Sequence, residues 1–313
     1  MNCYNIVIIG GGPAGLVSGI YAARARLKSL LLERMIPGGQ VVLAEWVENY
    51  PGFPEGISGQ ELMVRMEEQA KRFGLEIESA EATGVKSEED GRSWLVKTKD
   101  KEYHTLAVII ATGAKPAKLN ISGEEEFCGK GVSYCATCDG PLFRDKKVLV
   151  VGGGDKALSE ALFLIKFTPK ITLIHRKDRF QATKILQEKV LADSRIEPIW
   201  NSIVTEILGE KKVEGVRIKD IKTDEEREIE LDGVFISIGL KPDVSFLKGL
   251  IDLDRKGFIL TDFKMQTSKP GIYAAGDVRS SMFHQITTAC GDGAIAALAA
   301  QQYIEELKEE QDA

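Results

Sequence analysis

Two kinds of spacing alternate along the chain. Short runs in which every residue is apolar, such as IVII at residues 6–9, precede longer stretches with helical spacing, such as residues 16–26. A run that is apolar at every position reads as a strand buried on both faces, as in a parallel sheet covered by helices. Glycine joins the two patterns: GGGPAG fills residues 10–15, and a further strand-like run, SLLLE, follows at 29–33. The same order returns later. An apolar strand at 147–151 leads into GGGDKA at 152–157, a helix through Lys166 and a strand at 171–174.

Other segments are doubled as well. LAVIIATGAKP at 106–116 matches GVFISIGLKP at 233–242, each an apolar strand ending in Gly and then Lys-Pro. Short alternating strands precede both, WLVKT at 94–98 and EIEL at 228–231. GIYAAGD at 271–277 has no second copy, and residues 291–307 read as a helix, small and apolar first and polar later. The doubling predicts an α/β protein with two Rossmann-like nucleotide-binding domains. The first domain is the better candidate for the unpaired segment, which would make the second an insertion; the competing reading is two consecutive domains with the C-terminus packed on the second.

A strand, glycine turn, helix and strand is the setting a dinucleotide fingerprint requires. Gly10, Gly12 and Gly15 fill its positions in the first copy; Gly152, Gly154 and Ala157 do so in the second. Such glycines permit the tight turn and let a pyrophosphate rest on the helix N-terminus. The ends of the second strands differ. Glu33 stands where a carboxylate accepts a hydrogen bond from a ribose 2′-hydroxyl, and the same offset in the second copy brings His175, Arg176 and Lys177. Cations attract a 2′-phosphate that a carboxylate would repel. The first loop therefore suits FAD or NAD and the second NADP. A solvated strand end for Glu33 and an ordinary charged loop for Arg176 and Lys177 are the competing readings.

Length and charge narrow the class. The chain has 313 residues, which at about 150 per domain suggests two domains. Its formal charge of −6 gives no bulk attraction for nucleic acid. No apolar run reaches the roughly 18 residues of a membrane span, and the N-terminus has no signal-peptide pattern. A cytoplasmic protein is expected.

Of five cysteines, Cys135 and Cys138 form a CxxC motif in SYCATCDG at 133–140. Two thiols at that spacing can close a small disulfide and hold one sulfur as a reactive thiolate. Zinc needs four ligands, and His104, His175 and His284 show no spacing that completes a set, so no metal is expected. Cys3, Cys128 and Cys290 are expected to pack as small hydrophobes.

With these motifs the chain resembles the low-molecular-weight bacterial and archaeal thioredoxin reductases over essentially its full length. The residues that carry the likeness are 10–15, 38–40, 47–52, 111–113, CATCDG at 135–140, 152–157, 175–176 and 276–278. The resemblance implies a homodimer with one FAD per subunit. It also implies an NAD(P) domain (118–240) inserted into a discontinuous FAD domain (1–114 and 246–313), with 115–117 and 241–245 as hinge crossings. Electrons would pass from NADPH through FAD and the dithiol to the disulfide of a thioredoxin-like protein, the domains rotating between half-reactions. Cys138 would face the flavin, Cys135 would exchange with the partner disulfide, and Asp139 would manage the thiol proton. Gly39, Gln40, Asn49, Asp277, Gln285 and Ile286 resemble FAD contacts, with Thr112, Gly113 and Gly276 in the matching segments.

The sequence departs from the resemblance at three places. Lys156 replaces a small hydroxyl residue, Gln181 an arginine, and His284 an arginine before Gln285. The first two touch the nucleotide site, so NADH use is also expected. Two other readings remain: a flavin thioredoxin reductase fed by ferredoxin or another donor, and a non-enzymatic nucleotide-binding redox sensor.

Overall fold

A computed structural model describes residues 3–44, 46–89, 91–281 and 283–312. The chain divides into two compact units, Met1–Lys115 with Lys241–Ala313 and, between these segments, Pro116–Leu240.

The first unit opens with β1 (Cys3–Ile9), α1 (Pro13–Arg24) and β2 (Ser29–Glu33). Pro13 at the start of α1 sets a helical φ where no intrahelical N–H bond is needed. Then come α2 (Gly59–Arg72), started by Ser58, whose hydroxyl accepts the Glu61 N–H, and β3 (Glu76–Ser79). A hairpin of β4 (Gly84–Ser87) and β5 (Trp94–Lys97) leads to β6 (Glu102–Ile110) and the short β7 (Ala114–Pro116). The strand order is β3-β2-β1-β6-β5-β4, parallel from β3 to β6 and antiparallel beyond. Ile6 and Ile8 of β1 enter one core and Val7 and Ile9 the other. That two-sided burial is why the run is apolar throughout.

The second unit holds β8 (Val132–Ser133), α3 (Ala136–Asp139), β9 (Lys147–Val151), α4 (Asp155–Leu164), β10 (Lys170–Ile174), α5 (Lys184–Ala192) and β11 (Ile196–Ile199). An antiparallel meander of β12 (Ser202–Gly209), β13 (Val213–Asp220) and β14 (Glu226–Glu230) follows, before β15 (Gly233–Ile236) returns to the parallel sheet. That sheet runs β11-β10-β9-β15-β8, with cores on both sides.

Beyond the second unit, β16 (Leu240–Pro242) pairs with β7, and β17 (Ile272–Ala274) pairs in parallel with the last residues of β6. The final helix, α6 (Ile286–Asp312), lies on α1. The contact is close because Gly293 has no side chain: a Cβ there would overlap the Ala14 carbonyl. Ser18 Oγ is 2.8 Å from the Ala14 carbonyl oxygen and 3.0 Å from that of Gly293. The α/β class with parallel sheets is as the sequence predicts. Among the described residues, no helix is long and apolar enough to cross a membrane.

Candidate functional site

In the first unit the predicted residues gather at the C-terminal ends of parallel strands, where α/β sheets open a crevice. Gly10 follows β1 with a φ of 110°, and a Cβ on it would overlap the Ala111 carbonyl. A Cβ on Gly15 would overlap the carbonyl of Gly10. Gly12 caps α1 with no side-chain bond to the first-turn N–H groups among the described residues, which leaves those donors for an anion. Gly39 approaches closely, a Cβ on it falling 3.2 Å from Gly12 Cα, and exposed Gln40 follows in the same short turn. Glu33 accepts the Gly11 N–H at 2.7 Å and the Met35 N–H at 3.1 Å, so its carboxylate is fixed at the loop.

Thr112 and Gly113 follow β6. Thr112 Oγ1 donates to the Asp243 carbonyl at 2.8 Å, and the Asp243 N–H donates to the Gly113 carbonyl at 3.3 Å. Gly276 sits over Ala14, bringing Asp277 toward the same loop, and its N–H donates to Asp292 Oδ2 at 3.1 Å. Burial pushes the Asp292 carboxyl above its ordinary range, opposed by Arg279 at 3.5 Å. Asn49 Nδ2 donates to Gln285 Oε1 at 3.1 Å. Gln285 precedes Ile286, the first residue of α6, and His284 lies against the Phe258 ring. Asp243, Asp292 and Arg279 were not foreseen. Asp243 and Asp292 bond groups far away in the chain, and Arg279 pairs with Asp292, so only the fold brings them to the site.

The second unit repeats the loop. Gly152, with a φ of 151°, follows β9, and Gly154 caps α4, again with no side-chain cap among the described residues. A Cβ on Gly154 would meet nothing within 4 Å, which leaves its backbone open to a ligand. Ala157 is fully buried against Gly152, where a larger side chain would not fit. Arg176 and Lys177 are exposed beyond the end of β10. His175 is not: it is 7% exposed, and a Cβ on Gly153 would overlap its ring. Burial, then Lys177 and Arg176, hold the His175 ring below its ordinary pKa. The Gln181 N–H donates to the Gly153 carbonyl at 2.7 Å, folding the charged loop back over the glycines.

The same unit carries the cysteine pair as a disulfide, Cys135–Cys138, spanning the N-cap and third residue of α3. Cys138 is exposed and Cys135 half-buried, its Sγ 3.3 Å from Thr137 Oγ1. Asp139 is half-buried, and its Oδ2 accepts from Ser133 Oγ at 2.6 Å. Ser133 Oγ in turn accepts the Cys135 N–H at 3.1 Å. Beneath α3 lies Glu160 of α4, whose Oε1 is 3.5 Å from Ala136 N and whose Oε2 accepts from Ser237 Oγ. Desolvation raises the pKa of this carboxyl. Sequence reasoning missed it, although Glu160 follows Lys156 by one helical turn. Cys3 and Cys128 are exposed, contrary to the expected apolar packing. Cys3 lies at the open N-terminal end of β1 and Cys128 in the loop before β8; only Cys290 packs against a core. No group of three or more His, Cys, Asp or Glu is placed to hold a metal among the described residues.

The pattern of the pyridine nucleotide-disulphide oxidoreductases matches residues 4–293. The chain belongs to this family. Within the family it is 45% identical over 312 residues to the thioredoxin reductase of Listeria monocytogenes, covering 99% of this chain and 97% of that one. The Bacillus subtilis thioredoxin reductase is 46% identical over 308 residues, 98% and 96% of the two chains. The crystal structure of the Streptococcus pyogenes thioredoxin reductase superposes with a TM-score of 0.91 at 43% identity, covering 97% of this chain and 99% of that one. A flavin and a nicotinamide nucleotide go with the family.

Proposed function

We propose that the chain is a thioredoxin reductase that binds FAD and NADPH and reduces the disulfide of a thioredoxin-like protein. The observation that carries this reading is the Cys135–Cys138 disulfide, set in the same unit as the Gly152–Ala157 loop and the exposed cations Arg176 and Lys177. Near-full-length likeness to thioredoxin reductases supports it. The uncapped start of α1 and the close approach of Gly39 to Gly12 fit the pyrophosphate of FAD. Gly10, Gly15, Glu33, Gln40, Asn49, Thr112, Gly113, Gly276, Asp277, Gln285 and Ile286 complete that proposed site. In the second unit Gly152 and Gly154 hold the NADPH pyrophosphate, Ala157 lets α4 pack against that loop, and Arg176 and Lys177 hold the 2′-phosphate. His175 supports the loop from below instead of touching the nucleotide. When bound, FAD supplies the two-electron relay between nicotinamide and dithiol.

The chain's own sulfurs do the exchange. The Cys135 thiolate attacks one sulfur of the partner disulfide, forming a mixed disulfide and expelling the partner's other sulfur as a thiolate. Cys138 then attacks Cys135 Sγ, which restores the internal disulfide and releases the second partner thiolate. The partner gains two electrons and two protons, and the dithiol loses both. Asp139, held by Ser133, passes a proton between thiol and solvent. A homodimer in the cytoplasm accompanies this reading.

Substituting Cys135 or Cys138 by Ser tests it. The purified protein is expected to be yellow and to bleach with NADPH in the wild type and in both variants. Turnover of a thioredoxin disulfide is expected in the wild type alone. Near-wild-type turnover in both variants, or a protein that binds no flavin, would overturn the proposal.

A further inference from the structure

The peptide on each side of Cys135 is held by one helix. On α4, Lys156 Nζ donates to the Tyr134 carbonyl at 3.3 Å, and Glu160 Oε1 lies 3.5 Å from Ala136 N. Lys156 and Glu160 are one turn apart, their charged atoms 3.8 Å from each other. The Tyr134 ring is anchored separately, its hydroxyl donating to Glu124 Oε1 at 2.9 Å. Glu124 is 1% exposed and also accepts the N–H groups of Leu119 and Asn120. The bond to Lys156 can therefore change while the ring stays in place.

Lys156 is poorly placed for helix stability. It is the second residue of α4, where the helix dipole disfavours a cation, and it precedes Glu160 in the less favourable order for a pair one turn apart. What the position offers is reach in two directions. The Tyr134 carbonyl lies on one side, and on the other is the uncapped N-terminus at Gly154, where the proposed nucleotide's pyrophosphate rests.

We propose that Lys156 and Glu160 are positioning residues for the dithiol, and that Lys156 communicates nucleotide occupancy of the Gly152–Ala157 loop to Cys135. The inference rests on the nucleotide site of the preceding subsection. An ammonium has three donors and one charge, and a pyrophosphate anion attracts it more strongly than a neutral carbonyl does. Binding draws Lys156 from Tyr134 and removes one of the grips on the turn around Cys135, leaving those of Glu160 and Ser133. Cys135 gains freedom to meet an incoming sulfur when the nucleotide site is filled.

The probe is ADP-ribose 2′-phosphate, which keeps the pyrophosphate and 2′-phosphate of NADPH but carries no nicotinamide and so transfers no electrons. The dithiothreitol-reduced holoenzyme is treated with iodoacetamide with and without the probe, and Cys135 alkylation is followed by peptide mass spectrometry. Calorimetry reports probe binding separately. In the wild type and in Lys156→Arg, the probe is expected to speed alkylation roughly fivefold, the lower end of common coupling strengths. In Lys156→Met, the probe should still bind but leave the rate unchanged. Glu160→Ala should speed alkylation without the probe, and Glu160→Gln, which keeps an acceptor for Ala136, should not. An equal response in Lys156→Met, or none in the wild type with binding intact, overturns the coupling while sparing the nucleotide site. Failure of the wild type to bind the probe overturns both.

Discussion

The imidazole of His175 fills the space under Gly153, and burial there disfavours its charged form. Its unfolded-state pKa is the ordinary value near 6.5, and the folded value lies lower. Between those two values the unfolded chain binds more protons than the folded one, so stability falls as pH drops below about 6.5. Urea midpoints at about pH 7 and about pH 5 are expected to differ less in His175→Gln than in the wild type. Equal pH dependence in the two proteins would show that the ring titrates freely. Donor choice is also decided among single residues. Arg176 and Lys177 each offer a charge-assisted contact to a 2′-phosphate, worth about 1.5–3 kcal/mol, whereas Gln181 offers none. NADPH is expected to be preferred over NADH, with measurable NADH activity. Arg176→Ala should lower the kcat/KM ratio of NADPH to NADH about tenfold or more and Gln181→Arg should raise it. A wild type that prefers NADH would reverse the assignment of these cations.

Among elements, the contact of α1 with α6 is tight. Gly293 meets the Ala14 backbone directly, and Ala296, Ala297 and Ala300 along the same helix are essentially buried. Gly293→Val is expected to destabilise the protein by about 1–3 kcal/mol, the usual range for overpacking. It should also weaken flavin retention, because Ala14 is in the first turn of α1, directly after the glycine loop; chemical denaturation and flavin absorbance after dialysis check both. The sequence shows α6 only from its glycines onward, at 291–307, whereas the helix spans Ile286–Asp312. Its first turn is polar at Thr287 and Thr288, which weakens a periodic signal. The doubled strands were legible almost to the residue: β2 and β9 carry the predicted limits, because parallel strands buried on both faces must be apolar throughout. The glycine loops and the cysteine pair were equally plain, each being a local chemical pattern. Glu124 and Glu160 were not. A carboxylate that serves distant backbone donors looks in sequence like any other charge, and Glu124 stands in a run of three glutamates.

At the scale of the molecule, the second unit has its own two cores and a five-stranded sheet in which its own β15 joins β9 to β8. Residues 116–240 made alone are therefore expected to unfold cooperatively and to bind ADP-ribose 2′-phosphate. A fragment that binds ANS and melts without a transition would show that its packing depends on the other segments. The first unit has no such independence in time. Its β6 is completed by β17 and its α1 is covered by α6, and both lie beyond Leu240 in the chain. During synthesis at roughly 5–20 residues per second, the second unit is finished first. Val108, Ile109 and Ile110 meanwhile carry an open strand edge, which is an aggregation hazard while it lasts. Those seconds on the ribosome are when this chain exposes an apolar edge that the finished fold covers.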